Sequence, residues 1–143
     1  MVFFCHWSAP WGRGFHGTFG NFASTALPEV LPLAMHRGIG HATSVRLAPA
    51  GRDVFAGIDW STIPAFDYNA AEVRDGAALL ASTESGAPLA AAWSRGRGQV
   101  LAIAIDCFGF ESYVEGLSFD FWPGKPLLIA AAVRSVLRGA SGT

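Results

Sequence analysis

Residues 89–105 decide the fold of this chain: Leu89-Ala-Ala-Ala-Trp93-Ser-Arg-Gly96-Arg-Gly98-Gln-Val100-Leu-Ala-Ile-Ala-Ile105. Two apolar runs flank a short segment that contains two glycines, and this arrangement predicts a β-hairpin with the glycines at its turn. The second run, 100–105, is apolar at every position, which is typical of a strand that is covered on both faces. The sequence therefore predicts a mixed or parallel sheet in which 100–105 is a central strand.

Shorter strands are predicted upstream of this hairpin. Their apolar or alternating runs are Val2–Cys5, Ser44–Leu47, Phe66–Val73 and Ala78–Ser82. Prolines at positions 28 and 32 prevent a long helix over 26–35, so we expect a helical turn followed by extended chain there. Another single helical turn is expected over 53–58, ended by Gly57.

The last predicted element is a helix from Pro126 to Leu137. Proline suits the first turn of a helix, and Gly139 suits a C-terminal stop. A broad apolar stripe, which predicts that the helix packs on the sheet, is formed by Ile129, Val133, Val136 and Leu137.

Composition narrows the class of protein. The 143 residues fit one domain, 1–143. A composition with 51% hydrophobic and only 15% charged residues indicates an ordered core. A net charge of −1 without a basic tract predicts binding to neither nucleic acid nor anionic lipid. The longest apolar run has seven residues, against the roughly 20 that cross a bilayer, so no membrane association is expected.

The cysteine count and the N-terminus bear on the cellular setting. Two cysteines are too few to indicate a disulfide framework, and the N-terminus has no pattern of a secretory signal, so we expect a reduced, cytoplasmic setting. The chain opens directly on the apolar run Met1–Cys5. Because domains more often begin with a few disordered residues, we expect further chain to precede this run.

Three ordered blocks carry a resemblance to a known family. The first is Gly12-Arg-Gly-Phe-His16-Gly-Thr18 followed by Leu27-Pro-Glu-Val-Leu31-Pro32, and the second is Phe66-Asp-Tyr-Asn69. The third runs from Pro88-Leu89 through Trp93, Gly96-Arg-Gly98, Val100-Leu-Ala and Asp106-Cys107 to Phe121-Trp-Pro-Gly124 and the terminal helix. In order and approximate spacing, over nearly the whole chain, these blocks resemble the class I glutamine amidotransferase-like domain.

The resemblance implies an α/β fold, a flavodoxin-like three-layer sandwich. It also implies that family members carry more chain before the position of Met1, which supplies the first strands of their parallel sheet. This chain then corresponds to the C-terminal part of such a domain and lacks the N-terminal strands. We expect it to form a homo-oligomer or to associate with the missing N-terminal portion, since an incomplete sheet leaves apolar surface uncovered.

The family's chemistry is only partly represented in the sequence. The family uses a cysteine on a tight strand-to-helix turn, with a histidine and a glutamate late in the chain. Cys5 stands where the resemblance implies the nucleophile, but Phe3 and Trp7 occupy the glycine positions of the family's Gly-x-Cys-x-Gly turn. All four histidines lie in the first third of the chain, so a surviving catalytic set would be Cys5, His16 and Glu111.

Three functions remain open at this level. The first is a catalytically degenerate module that binds a ligand or a partner, the second a cysteine-dependent amide hydrolase, and the third a structural subunit that assembles through its sheet edge. A small-molecule ligand would lie in an aromatic-lined cleft at one edge of the sheet, formed by Trp7, Trp11, Tyr68, Asn69, Asp106 and Phe108. No metal-ligand spacing or phosphate-binding loop is present, so no metal and no cofactor are expected.

Overall fold

The structure, a computed structural model, describes residues 1–4, 25–105 and 119–140. In chain order its first elements are β1 (Val2–Phe4), α1 (Leu27–Val30), β2 (Leu33–Ala42), β3 (Arg46–Leu47), α2 (Pro49–Val54) and a 3₁₀ turn, Trp60–Thr62. They are followed by β4 (Phe66–Val73), β5 (Ala78–Ser82), β6 (Pro88–Arg95), β7 (Gly98–Ile103), a second 3₁₀ turn (Phe119–Phe121) and α3 (Lys125–Ala140).

Five of these strands form one mixed sheet, in the order β1-β7-β6-β5-β3. Strand β7 is parallel to β1, with Phe4 opposite Ile103, and antiparallel to β6. The β6–β7 turn has Gly96 at φ 57°, a left-handed conformation that glycine adopts without strain. The prediction that 100–105 lies in a central strand is confirmed, because hydrogen-bonded neighbours flank β7 on both sides and residues 100–105 are buried.

The two remaining strands, β2 and β4, form a separate antiparallel ribbon. Its register shifts between Met35 and Ile39, where Gly38 has φ 126°. The ribbon and α1 cover one face of the main sheet, in a cluster that includes Leu31, Leu33 and Ala102. The other face is covered by α2, α3 and the two 3₁₀ turns, in a larger cluster centred on aromatic residues.

Most predicted elements are present, several with the predicted bounds. Strands β4 and β5 span the predicted residues, and a helical turn followed by an extended strand replaces the interrupted 26–35 segment. The predicted strand 44–47 is reduced to two residues. The helical turn expected over 53–58 was misplaced: α2 begins at Pro49, whose fixed φ suits the first turn of a helix, and it ends at Val54.

Helix α3 packs on the sheet as predicted, but of the predicted stripe only Val136 packs against the core. Its buried residues are Leu128, Ala131 and Ala132, while the exposed ones include Ile129, Val133 and Leu137. The small side chains of the two alanines let the helix approach the sheet closely. The predicted stop was also wrong, because α3 continues through Gly139 to Ala140.

These elements make the described chain a mixed α/β fold, with one five-stranded and one two-stranded sheet. In the ranges that the structure describes, no helix has the length and apolar character needed to span a bilayer.

Candidate functional site at the end of strand β7

Strands β1 and β7 are parallel neighbours in the main sheet. Because they run in the same direction, with Phe4 opposite Ile103, their carboxyl ends lie at the same end of the sheet. Beyond β7 the chain stays extended to Ile105, which forms an isolated antiparallel bridge with Tyr68 of β4. The carboxyl ends of parallel strands are where α/β folds usually place their ligand sites. We therefore take the carboxyl ends of β1 and β7 as the candidate site.

Only two of the predicted site residues, Tyr68 and Asn69, belong to the described part of the chain, and the structure places both of them beside the end of β7. The others lie outside the described residues: Cys5, Trp7, Trp11, His16, Asp106, Phe108 and Glu111. In the sequence, Cys5 directly follows Phe4, and Asp106 directly follows Ile105.

Asn69 ties β4 to the last residues before Asp106. Its side chain is 1% exposed, and its amide nitrogen Nδ2 donates a hydrogen bond to the carbonyl oxygen of Ala104 at 3.0 Å. The backbone N–H of Asn69 donates to the same oxygen at 2.8 Å. A buried amide needs such partners, because a buried polar group left unpaired costs about 1–3 kcal/mol. The contact gives Asn69 a structural role, whereas its predicted part in ligand binding stays a prediction.

Strand β4 contacts both hydrophobic clusters: its side chains pack in one cluster before Asn69 and in the other cluster after it. Before this residue, Phe66 and Tyr68 pack in the cluster on the α3 side of the sheet. After it, Ala71 and Val73 pack in the cluster on the other side. Asn69 therefore lies where β4 passes the end of β7, and the passage is held by apolar packing on both sides.

Tyr68 is held against the second strand of the ribbon. Gly40 lies opposite it in the β2–β4 register, and a Cβ atom added at Gly40 would lie only 2.1 Å from Cζ of the Tyr68 ring. The ring of Tyr68 therefore occupies the space above the backbone of Gly40, and any side chain at position 40 would collide with it. The sequence analysis did not identify Gly40, because its importance depends on the pairing of two distant strands.

The same end of the ribbon carries a histidine–carboxylate pair that the sequence analysis missed. Nδ1 of His41 lies 2.9 Å from Oδ1 of Asp67, and the histidine side chain is 66% exposed. A second pair, His36 with Glu72, lies further along the ribbon at 3.4 Å. The partners in each pair are 26 and 36 residues apart, so only the β2–β4 register could have indicated them. Both histidines of the described ranges are thus engaged with carboxylates.

Metal binding has no support in this part of the chain. Among the residues that the structure describes, no group of three or more histidine, cysteine, aspartate or glutamate side chains could hold a metal ion.

Comparisons with known proteins bear on the fold. No protein-family model matches the chain, and no curated protein sequence matches it. Two solved structures share its fold: the cytoplasmic protein STM1381 of Salmonella typhimurium LT2, with a TM-score of 0.64 at 20% identity, and the cytoplasmic protein STM3548 of Salmonella typhimurium, with 0.61 at 22%. Each match covers 81% of this chain but only 47% of the solved chain, so this chain spans about half the length of these similar structures.

Proposed function

We propose that this chain is a glutamine amidotransferase-like module that lacks the family's amide-hydrolysing chemistry. It acts by binding a partner at the carboxyl ends of β1 and β7. The observation that carries the proposal is the parallel β1–β7 pair, which brings the chain out of both strands at one edge. The residue that follows β1 is Cys5, where the family resemblance implies the nucleophile.

The fold proposal goes one step beyond the mixed α/β class. We propose that the chain is the C-terminal part of a flavodoxin-like three-layer sandwich. Support comes from the parallel pairing of β1 and β7, with α3 lying against both strands on one face. The match covers 47% of each solved neighbour, so this fold accounts for about half of each of those chains.

Loss of catalysis follows from what a cysteine nucleophile requires. The attacking species is the thiolate, which is favoured by a helix N-terminus or a nearby cation. The sequence after Cys5 contains Pro10 and lacks the glycines of the family's turn, which argues against an immediate helix. Of the four histidines, the two in the described ranges are already paired with carboxylates on the ribbon.

A macromolecular partner is favoured over a small-molecule ligand by the apolar surface near this edge. Strand β1 is the outermost strand of its sheet within the described residues, with Val2 and Phe3 packed in the two core clusters. Helix α3, which lies against β1 and β7, exposes large apolar side chains. The structures that share the fold are described as cytoplasmic proteins, which supports a cytoplasmic setting for this chain as well.

A glutamine hydrolysis assay tests the loss of catalysis. Ammonia release should equal the rate without protein for the wild-type chain and for Cys5→Ser and His16→Ala. Ammonia release by the wild-type chain that both substitutions abolish would instead establish a cysteine-dependent amide hydrolase. The two variants are matched, because each removes one member of the only catalytic set that the sequence supports, Cys5, His16 and Glu111.

A further inference from the structure

The turn that joins β4 to β5 contains Asp75-Gly76, the single aspartate–glycine pair in the chain. The backbone N–H of Ala77 donates to the carbonyl oxygen of Arg74 at 3.0 Å, so the pair lies at the centre of a hydrogen-bonded turn. Gly76 has φ 81°, which explains why glycine occupies this position. Because β4 belongs to the ribbon and β5 to the main sheet, the turn is the covalent link between the two sheets.

The two groups that can close a succinimide ring are both accessible in this turn. Asp75 and Gly76 are exposed. Within the described ranges, neither the carboxylate of Asp75 nor the backbone N–H of Gly76 has a hydrogen-bond partner. Gly76 also has no side chain to shield its nitrogen, and even an added Cβ atom would meet nothing within 4 Å. The nitrogen and the carboxyl carbon are therefore free to approach each other.

Three other aspartates lack this combination. The carboxylate of Asp59 accepts hydrogen bonds from a backbone N–H and a hydroxyl group, and that of Asp67 is paired with His41. Asp53 lies inside α2, where the helix fixes the backbone, and it is followed by Val54, whose branched side chain crowds the adjacent amide. The aspartate in the turn is thus distinguished by its free carboxylate as well as by the glycine after it.

We propose that Asp75 is a site of isoaspartate formation. The backbone nitrogen of Gly76 attacks the side-chain carboxyl carbon of Asp75. A C–N bond forms, and the amide hydrogen leaves with the carboxyl hydroxyl group as one molecule of water. Water then reopens the succinimide. When it cleaves the bond between the nitrogen and the backbone carbonyl carbon, the main chain runs through Cβ and the α-carboxylate is free.

The product alters the link between the two sheets without any change of mass. The main chain gains one carbon atom between Arg74 and Gly76, inside the turn that the Ala77 N–H closes. The strands on both sides are held by their own partners, β2 for β4 and β6 for β5, so the turn has to accommodate the extra atom. The freed α-carboxylate is the group that isoaspartyl methyltransferases esterify, which makes an enzyme of this class the expected partner.

A timed incubation of the folded chain, at neutral pH and physiological temperature, tests the proposal. Isoaspartate is measured as the methyl groups that an isoaspartyl methyltransferase transfers from S-adenosylmethionine. Methyl acceptance by the wild-type chain should rise with time. Asp75→Glu should lose this rise, because it keeps the negative charge but has to close a larger ring. The matched control Asp53→Glu makes the same exchange at another exposed aspartate and should leave the rise unchanged.

Peptide mapping locates the modification. A protease that cleaves before aspartate should lose its cleavage between Arg74 and residue 75 as methyl acceptance grows, since isoaspartate resists such a protease. Far-UV circular dichroism during the incubation establishes that the chain stays folded. Constant methyl acceptance by the folded wild-type chain overturns the proposal, and so does a rise that Asp75→Glu retains or that maps to another residue. The result is independent of the proposed function, because neither glutamine hydrolysis nor partner binding enters the measurement.

Discussion

The side-chain amide of Asn69 and its backbone N–H both donate to the carbonyl oxygen of Ala104, at 3.0 and 2.8 Å. This double contact joins the ribbon to the main sheet two residues before Asp106. It holds residue 104, just beyond β7, against β4. The candidate site therefore depends on a polar contact inside the fold as well as on apolar packing.

Replacing Asn69 with alanine should destabilise the protein by about 1–3 kcal/mol, because the Ala104 carbonyl loses a buried donor and a small void is left. Urea unfolding monitored by tryptophan fluorescence measures the change. Glu72→Ala on the same strand is the control. Its side chain is 77% exposed and its carboxylate lies near the exposed His36, so we expect a change within about 0.5 kcal/mol. Equal losses for the two variants would show that the Asn69 contact has no special role.

Gly40→Ala should destabilise the protein by about 1–3 kcal/mol, since the new methyl group would collide with the Tyr68 ring and force it to move. Gly98→Ala is the control, because an added Cβ there meets nothing closer than 3.8 Å and should be neutral or slightly stabilising. A double-mutant cycle isolates the collision. In a Tyr68→Ala background, Gly40→Ala should cost much less, and an unchanged cost would contradict the contact.

Two helical glycines should respond to alanine with opposite signs. Alanine gains about 1 kcal/mol over glycine from helix propensity. At Gly51 of α2 this gain is outweighed, because the new Cβ would lie 1.8 Å from the backbone oxygen of Leu80, which cannot move without disturbing β5. At Gly139 of α3 the obstacle is the flexible side chain of Gln99, which can rotate away. Thermal unfolding should show a loss for Gly51→Ala and a neutral or stabilising effect for Gly139→Ala. Equal effects would contradict this account.

Local sequence signals predicted most strands, but not residues 36–42 of β2 and not the long-range partners of the strands. Strands β4 and β5 have the predicted bounds because turn residues such as Gly76 and Gly86 separate short apolar runs. The pairing of β2 with β4 had no local signal, since it joins segments about 30 residues apart. Consequently the His41–Asp67 pair and the contact between Gly40 and Tyr68 were not predicted.

Helix α3 shows a different limit of sequence reasoning. Its sequence is apolar on more than one side, so periodicity alone could not identify the buried face. Packing determines which face of α3 is buried: the face with Ala131 and Ala132 lies against the sheet, and Ile129 and Val133 are exposed. The site residues named from the sequence all stay predictions: the structure places Tyr68 and Asn69 beside the end of β7, and Cys5, His16 and Glu111 lie outside the described residues.

The pH dependence of Cys5 alkylation tests the proposed loss of catalysis most directly. The chain has two cysteines, so the Cys107→Ser variant isolates Cys5, and Cys5→Ser provides the matched measurement for Cys107. Because the sequence after Cys5 does not predict a helix, we expect the Cys5 thiol to react with iodoacetamide slowly at neutral pH, as a thiol without activation does. A midpoint below about pH 7, at which a stabilised thiolate reacts, would contradict the account and point to an active nucleophile.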